Sequence, residues 1–201
     1  AGGKVINLLA KGSKRHVTMQ LKKSPAEHLA DIVKNVEMAD SAGLSVNIYL
    51  EDWSNGMADS REYVYFLLDN LSRLPIKRFM LTDTLGILTP DKAASYCRAV
   101  IKKYPGLNFD FHAHNDYDLA VANVFAAASV GISGIHTTVN GMGERAGNAP
   151  LASVVGMLND HLRIENSVDE RKLVKICNLV ESFSGIRIPA NKPIVGESVF
   201  T

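Results

Sequence analysis

The sequence predicts an α/β protein made of parallel βα units, of the kind that close into a (β/α)8 TIM barrel. Short runs with strand character alternate regularly with longer runs of helical period. The helical runs open on Ser, Thr, Asp or Pro, and three of them close on Gly43, Gly106 and Gly131, the places where caps and C′ glycines belong. Four of the strand candidates carry their polar residues on a single parity, which leaves an apolar stripe for helices and a polar stripe for a lumen.

In order along the chain, strands are expected over residues 4–9, 44–51, 78–83, 107–114 and 133–139. Helices are expected over 24–42, 60–74, 89–104 and 118–130. Two more helical stretches follow, over 151–162 and 168–183, and then an extended, proline-containing tail from Arg187. A doubly wound open sheet is the rival architecture, but Ala10-Lys11-Gly12-Ser13 is a poor match to the Gly-rich phosphate turn it would carry after its first strand. The domain expectation is a partial barrel over 1–163 and, over 164–201, a C-terminal helix and tail leading to a further subdomain.

The chain has 201 residues, 46% of them hydrophobic, enough for one well-buried domain. With 22 basic and 21 acidic side chains the formal net charge is +1, so no global field recruits nucleic acid or an anionic membrane. No apolar run is long enough to span a bilayer, and Ala1-Gly2-Gly3-Lys4 does not resemble a signal peptide. Cys97 and Cys177 lie far apart, without metal or redox spacing, and suit a reducing cytoplasm.

The parity rule selects candidate site residues. Asp110, His112 and His114 share one face of the fourth strand, Asn47, Tyr49 and Glu51 one face of the second. Thr82 and Thr84 follow on the third strand, and His136, Thr138 and Asn140 on the fifth. The strand ends reach the C-terminal mouth, where barrel enzymes keep their chemistry. His112 and His114 can offer two imidazoles to one metal ion, although one of such a pair is often a hydrogen-bonded core histidine. Asn115-Asp116 and the loop from Gly141 to Asn148 add oxygen ligands and glycines. Together they suit a six-coordinate Mg, Mn, Co or Zn ion with open positions for substrate.

His112-Ala113-His114-Asn115-Asp116 followed by Asn140-Gly141-Met142-Gly143-Glu144-Arg145-Ala146-Gly147-Asn148 resembles the paired signature of the isopropylmalate, citramalate and homocitrate synthases. These are relatives of the lyases that cleave hydroxymethylglutaryl-CoA. The likeness continues through Tyr49-Leu50-Glu51-Asp52, Thr82-Asp83-Thr84-Leu85-Gly86 and Pro193-Ile194-Val195-Gly196. It implies His112, His114 and Asn148 as metal ligands and Thr84 as a hydrogen-bond donor to the carboxylate of a 2-oxo acid. Tyr49, Thr82 and Glu51 would line the site, with Tyr49 and Glu51 nearest the reacting groups; Glu51 either assists proton transfer or anchors by hydrogen bonds. The stretch from Tyr49 to Trp53 is most similar to citramalate synthases, which favours pyruvate over 2-oxoisovalerate.

The implied reaction is a Claisen condensation of acetyl-CoA with the keto acid, in a divalent-metal-dependent acyltransferase of leucine or isoleucine biosynthesis that works as a homodimer. Two departures from the family pattern stand out: an Arg-Asp pair on the family's first strand has no match, and the family continues past the counterpart of Thr201. By that resemblance the chain corresponds to the last five βα units, from about the fourth strand onward. Taken alone it would be catalytically crippled.

Two other readings compete. Retro-aldol cleavage of a hydroxyacyl-CoA would use the same metal cradle, but those lyases place a cysteine in the loop where Glu144-Arg145-Ala146-Gly147 stands here. A non-catalytic barrel module would not need His112, His114 and Asn148. Elsewhere, His16, His28 and His161 read as solvated side chains, Trp53 as packing, and Lys22-Lys23 and Lys102-Lys103 as exposed charges.

Overall fold

In a computed structural model, which describes residues 2–199, five parallel strands form one sheet in the order β1-β2-β3-β4-β5. They are β1 Val5–Lys11, β2 Ser45–Glu51, β3 Ile76–Asp83, β4 Phe109–Ala113 and β5 Gly134–His136. Ala1, Phe200 and Thr201 lie outside the described residues. The βα alternation and the partial (β/α)8 architecture are as expected. The sheet is an open five-stranded one, with β1 and β5 as its edges among the described residues.

Parity decides which face is covered. On β2, Val46, Ile48 and Leu50 are fully buried, as are Phe109, Phe111 and Ala113 on β4, and they join one core with Ile32, Val36, Leu67, Val100 and Val124 from the helices. This is the stripe the alternation assigned to helix packing. The opposite stripe, with Asn47, Tyr49 and Glu51, is only half-buried. On β1 it is more open still, with Leu9 63% exposed.

The covering helices are α2 Pro25–Ser41, α4 Arg61–Leu71, α5 Pro90–Lys103 and α6 Ala120–Ala128. Ser24 caps α2 in a reciprocal capping box with Glu27, and Pro25 occupies the first turn, so the start of the helix is set by its own residues. Gly43 and Gly131 take positive φ past helix ends as expected. Gly106 does not: α5 ends at Lys103, and Tyr104, with φ −129° and ψ 66°, is its cap residue.

Two helices were not anticipated: α1 Lys14–Met19, capped by Ser13, and α3 Trp53–Asp59. Both follow a strand and are shorter than two turns, too brief to show a helical period. Trp53 is buried on α3 with its ring edge-on to Tyr96, at 6.2 Å between centroids, which is the packing role expected.

The strand expected over 133–139 stops at His136, and Asn140, with φ +59°, turns out of the stripe so that its amide donates to the Cys177 carbonyl at 2.9 Å. The stretch 151–162 divides into α7 Leu151–Met157 and a π-helical turn, Leu158–Leu162. A 3₁₀ turn, Glu170–Lys172, leads into α8 Leu173–Ser184, which shares a small second core with α7 through Ala152, Val155, Leu173 and Cys177. The tail beyond Arg187 is not extended. It folds into tight turns, with Gly196 N–H donating to Lys192 C=O and Ser198 N–H to Ala190 C=O, both at 2.9 Å.

Cys97 and Cys177 are free and buried, and burial pushes the Cys97 thiol up to about 12. Among the described residues, no helix is long and apolar enough to cross a membrane.

Candidate metal and substrate site

The C-terminal ends of β1 to β4 converge on a cavity of about 220 Å³ lined by Leu9, Tyr49, Glu51, Thr82, Thr84, His112, His114 and Glu144. Six of these are residues the sequence selected, brought together from positions 65 residues apart by the parallel register. Tyr49 pairs with Met80, Thr82 with His112 and His112 with His136. Strands that run the same way end at the same rim.

His112 and His114 project from one face, with their Nε2 atoms 3.4 Å apart and ring centroids at 5.2 Å. Burial, then the neighbouring His136 and His114, lowers the His112 imidazole to about 4; burial, then Arg145, lowers that of His114. Both rings are neutral near pH 7, with lone pairs available. Their packing fixes ring planes: His112 stands edge-on to Tyr49 at 5.9 Å and to His136 at 5.5 Å. Both Nδ1 atoms are buried without a hydrogen-bond partner among the described residues, so it is packing, rather than an anchoring acceptor, that orients the rings.

Asn148 completes the cluster. Its amide nitrogen lies 3.3 Å from His112 Nε2 and donates to Ala113 C=O at 3.2 Å. Among the described residues no three His, Cys, Asp or Glu side chains gather as a metal site; the carboxamide is a further polar group beside the two imidazoles. Two neutral imidazole nitrogens 3.4 Å apart, with a carboxamide 3.3 Å from one of them, are donor types that a divalent ion accepts.

The loop carrying Asn148 is held down by Arg145. Its guanidinium donates to Asp116 through Nε at 2.7 Å and Nη2 at 3.0 Å, and Nη2 also donates to Thr84 C=O at 2.6 Å. The guanidinium keeps the Asp116 carboxyl below its usual range. This two-pronged contact joins the loop to the ends of β3 and β4.

Thr84 and Thr82 form a chain. Thr82 Oγ1 donates to Leu50 C=O at 2.5 Å, Thr84 Oγ1 donates to Thr82 Oγ1 at 3.1 Å, and the Asp52 N–H donates to Thr84 Oγ1 at 2.8 Å. The Thr82 hydroxyl is thus committed to backbone, while Thr84 stays at the rim. Asp52 adopts a left-handed conformation, φ +65°, and is 1% exposed. Its carboxylate accepts from Ser13 at 2.6 Å and Asn55 at 2.7 Å, with His16 Nε2 at 3.3 Å.

Deeper in the stripe, Arg78 donates to Asp110 through Nε at 2.7 Å, and Asp110 lies 3.5 Å from His136 Nε2, whose Nδ1 is 3.1 Å from the Tyr49 hydroxyl. Burial alone would raise the Asp110 carboxyl, yet His136 and Arg78 hold it low. The Tyr49 phenol is raised by burial and by Asp110, and so stays protonated.

Sequence reasoning assigned no role to Leu9, Lys11 or Asp52. The strand over 4–9 was ended two residues early, and continuing its parity would have placed Leu9 and Lys11 in the stripe. Two of the histidines read as solvated are not. His28 is 4% exposed, because α2 turns it inward against Tyr63 at 2.7 Å, and His16 is half-buried beside Asp52. His161 is exposed, as are Lys22, Lys23, Lys102 and Lys103.

Fold and site together define an α/β protein, part of a (β/α)8 barrel, with a histidine and carboxamide cluster fit for a metal at its C-terminal rim. The chain belongs to the HMGL-like family, whose model matches residues 1–180. It is 40% identical over 176 residues to a homocitrate synthase of Sulfolobus acidocaldarius, covering 87% of this chain and 36% of that protein. It is 36% identical over 196 residues to a probable 2-isopropylmalate synthase of Ignicoccus hospitalis, covering 98% of this chain and 48% of that protein. The chain therefore spans less than half the length of these relatives. Among solved structures, a hydroxymethylglutaryl-CoA lyase of Pseudomonas aeruginosa superposes with a TM-score of 0.80 at 23% identity, over 92% of this chain and 64% of that one. That likeness is one of fold.

Proposed function

We propose that the protein is a divalent-metal-dependent synthase that condenses acetyl-CoA with a small 2-oxo acid. The observation that carries this reading is the meeting of the His112 and His114 Nε2 atoms, 3.4 Å apart, beside Thr84, Tyr49 and Glu51 at one cavity. The synthase names of the relatives support the same reaction class.

A bound Mg, Mn, Co or Zn ion would supply Lewis-acid polarisation of the keto carbonyl, and His112, His114 and Asn148 would hold it. Thr84 turns its hydroxyl from Thr82 to donate to the substrate carboxylate, while the Asp52 N–H keeps its oxygen in place. Tyr49 offers its protonated phenol to the keto acid from the cavity wall. Glu51, at the same rim, accepts the proton leaving the acetyl methyl or anchors the groups that do.

A monocarboxylic keto acid, pyruvate or 2-oxoisovalerate, suits the cavity better than a dicarboxylic one. Each cation near it is already paired: Lys11 with Glu51, Arg78 with Asp110 and Arg145 with Asp116. Among the described residues, no Lys or Arg lines the cavity to receive a second substrate carboxylate. Pyruvate is the first choice, because the stretch from Tyr49 to Trp53 is most similar to that of citramalate synthases. Lyase chemistry is the second reading, supported by the fold neighbours, and the absence of a cysteine from the loop 141–148 argues against it. Action in the cytoplasm as a homodimer, and a C-terminal helix and tail over 164–201 that lead to a further subdomain, belong to the same proposal.

The test is thiol release from acetyl-CoA by the full-length protein, offered pyruvate, 2-oxoisovalerate and 2-oxoglutarate with each of the four cations. Turnover with pyruvate above the other two is expected. Free CoA with none of them, together with cleavage of a hydroxyacyl-CoA, would replace the synthase by the lyase.

A further inference from the structure

β1 ends on a lysine to which the reaction above gives no role. Lys11 stands opposite Glu51 in the strand register, and its ammonium meets the Glu51 carboxylate at 2.5 Å, with the two side chains 17% and 23% exposed. An ion pair at a rim contributes little by itself when both side chains are free to move. Here the lysine is not free.

Its backbone is gripped from the helix layer. The Lys11 N–H donates to Nε2 of His28 on α2 at 3.3 Å, Nδ1 of the same ring lies 2.7 Å from the Tyr63 hydroxyl on α4, and that hydroxyl donates to the Lys11 carbonyl at 3.3 Å. With Nε2 accepting, the ring proton sits on Nδ1, so the donors run one way round a closed circuit of three residues. The next residue is fixed as well. Gly12 N–H donates to the Glu51 carbonyl at 2.5 Å, and α3 passes so near that a Cβ on Gly56 would lie 2.1 Å from the Gly12 carbonyl. The end of β1 can neither twist nor retreat without breaking these contacts, so the point and direction from which the lysine side chain leaves the backbone are fixed.

We propose that Lys11 is a positioning residue: clamped by His28 and Tyr63, it holds the Glu51 carboxylate at the cavity shared with Tyr49 and His112. The proposal rests on the synthase reading for the step that Glu51 serves. The juxtaposition of Lys11 and Glu51 is independent of that reading.

The variants Lys11→Met and Lys11→Arg, made in the full-length protein, test it, with circular dichroism and thermal unfolding to establish that each is folded. Lys11→Met is expected to lower kcat roughly 10- to 100-fold, the range in which a misplacement of about 1 Å in a reacting group falls. KM for both substrates should stay within about threefold, because a positioning group acts on the reaction rather than on binding. Lys11→Arg should recover most of the rate, and His28→Phe should lower kcat in the same direction by less. A Lys11→Met enzyme with unchanged kcat overturns the proposal. So does one whose KM for the 2-oxo acid rises more than about tenfold at constant kcat, which would make Lys11 a substrate ligand. If the unaltered protein shows no synthase turnover, the reaction reading fails separately. Crystal structures of the protein and of Lys11→Met then decide, and a Glu51 carboxylate that keeps its place without the lysine overturns the positioning role.

Discussion

Tyr49 illustrates how much of this site depends on single contacts. The ring is in the cavity because β2 alternates, but its hydroxyl is aimed by His136, itself supported by Asp110 and Arg78 on two further strands. Replacing His136 by Phe keeps a ring of similar width against His112 and removes the hydrogen bond. A net hydrogen bond is worth about 1 kcal/mol, so KM for the 2-oxo acid should rise roughly fivefold with little change in metal affinity. Steady-state kinetics and a Mn titration measure both, and an unchanged KM would mean that packing alone orients Tyr49. Tyr49, Glu51, Thr84, His112 and His114 were legible from parity, because alternation depends only on the neighbours within one strand. Lys11 and Asp52 were not. The partner of Lys11 is 40 residues away, and the conformation of Asp52 is imposed by Ser13, Asn55 and Thr84.

At the scale of elements, the loop after the 3₁₀ turn Val139–Gly141 carries Asn148, the proposed third metal donor, and has no regular structure of its own. Gly147 makes it possible: φ is +87°, and a Cβ there would lie 2.0 Å from the Gly141 carbonyl oxygen. Gly147→Ala should therefore distort the turn that sets Asn148, destabilising the fold by about 1–3 kcal/mol and weakening Mn or Co binding more than ten-fold, in line with losses around metal ligands. Urea denaturation and metal titration read the two effects, and wild-type values for both would show that the loop does not set the ligand. The helices α2, α4, α5 and α6 were foreseeable because each spans enough turns to show its period and starts on its own cap. The short helices α1 and α3, the early end of β5 and the turns of the tail were not. Fewer than two turns give no period to read, and their stability comes from what they pack on.

For the molecule as a whole, buried neutral histidines link folding to pH. Burial, opposed by Asp31, lowers the His28 imidazole below its ordinary 6.5, and protonation would remove the acceptor that the Lys11 N–H uses. Below about 6.5 the unfolded chain therefore binds more protons than the folded one. The contribution of His28 is complete above that pH and falls away as pH drops towards the folded value. His112 and His114 carry the same sign. Denaturation midpoints of the metal-free protein should decline between pH 7.5 and 5.5, with a shallower decline in His28→Phe. Equal slopes would mean that His28 does not contribute.

The order of strands and helices, the apolar face that the helices cover and the polar face that faces the rim were determined by the sequence alone, because periodicity and capping are local properties. Which polar groups meet was decided only by the tertiary structure. The Lys11–Glu51 pair, the His28–Tyr63 clamp, the Asp52 turn beneath Thr84 and the clasp of Arg145 on Asp116 all join distant segments. Hydrogen bonds and ion pairs act over a few ångströms, and those distances exist only once the sheet has set its register.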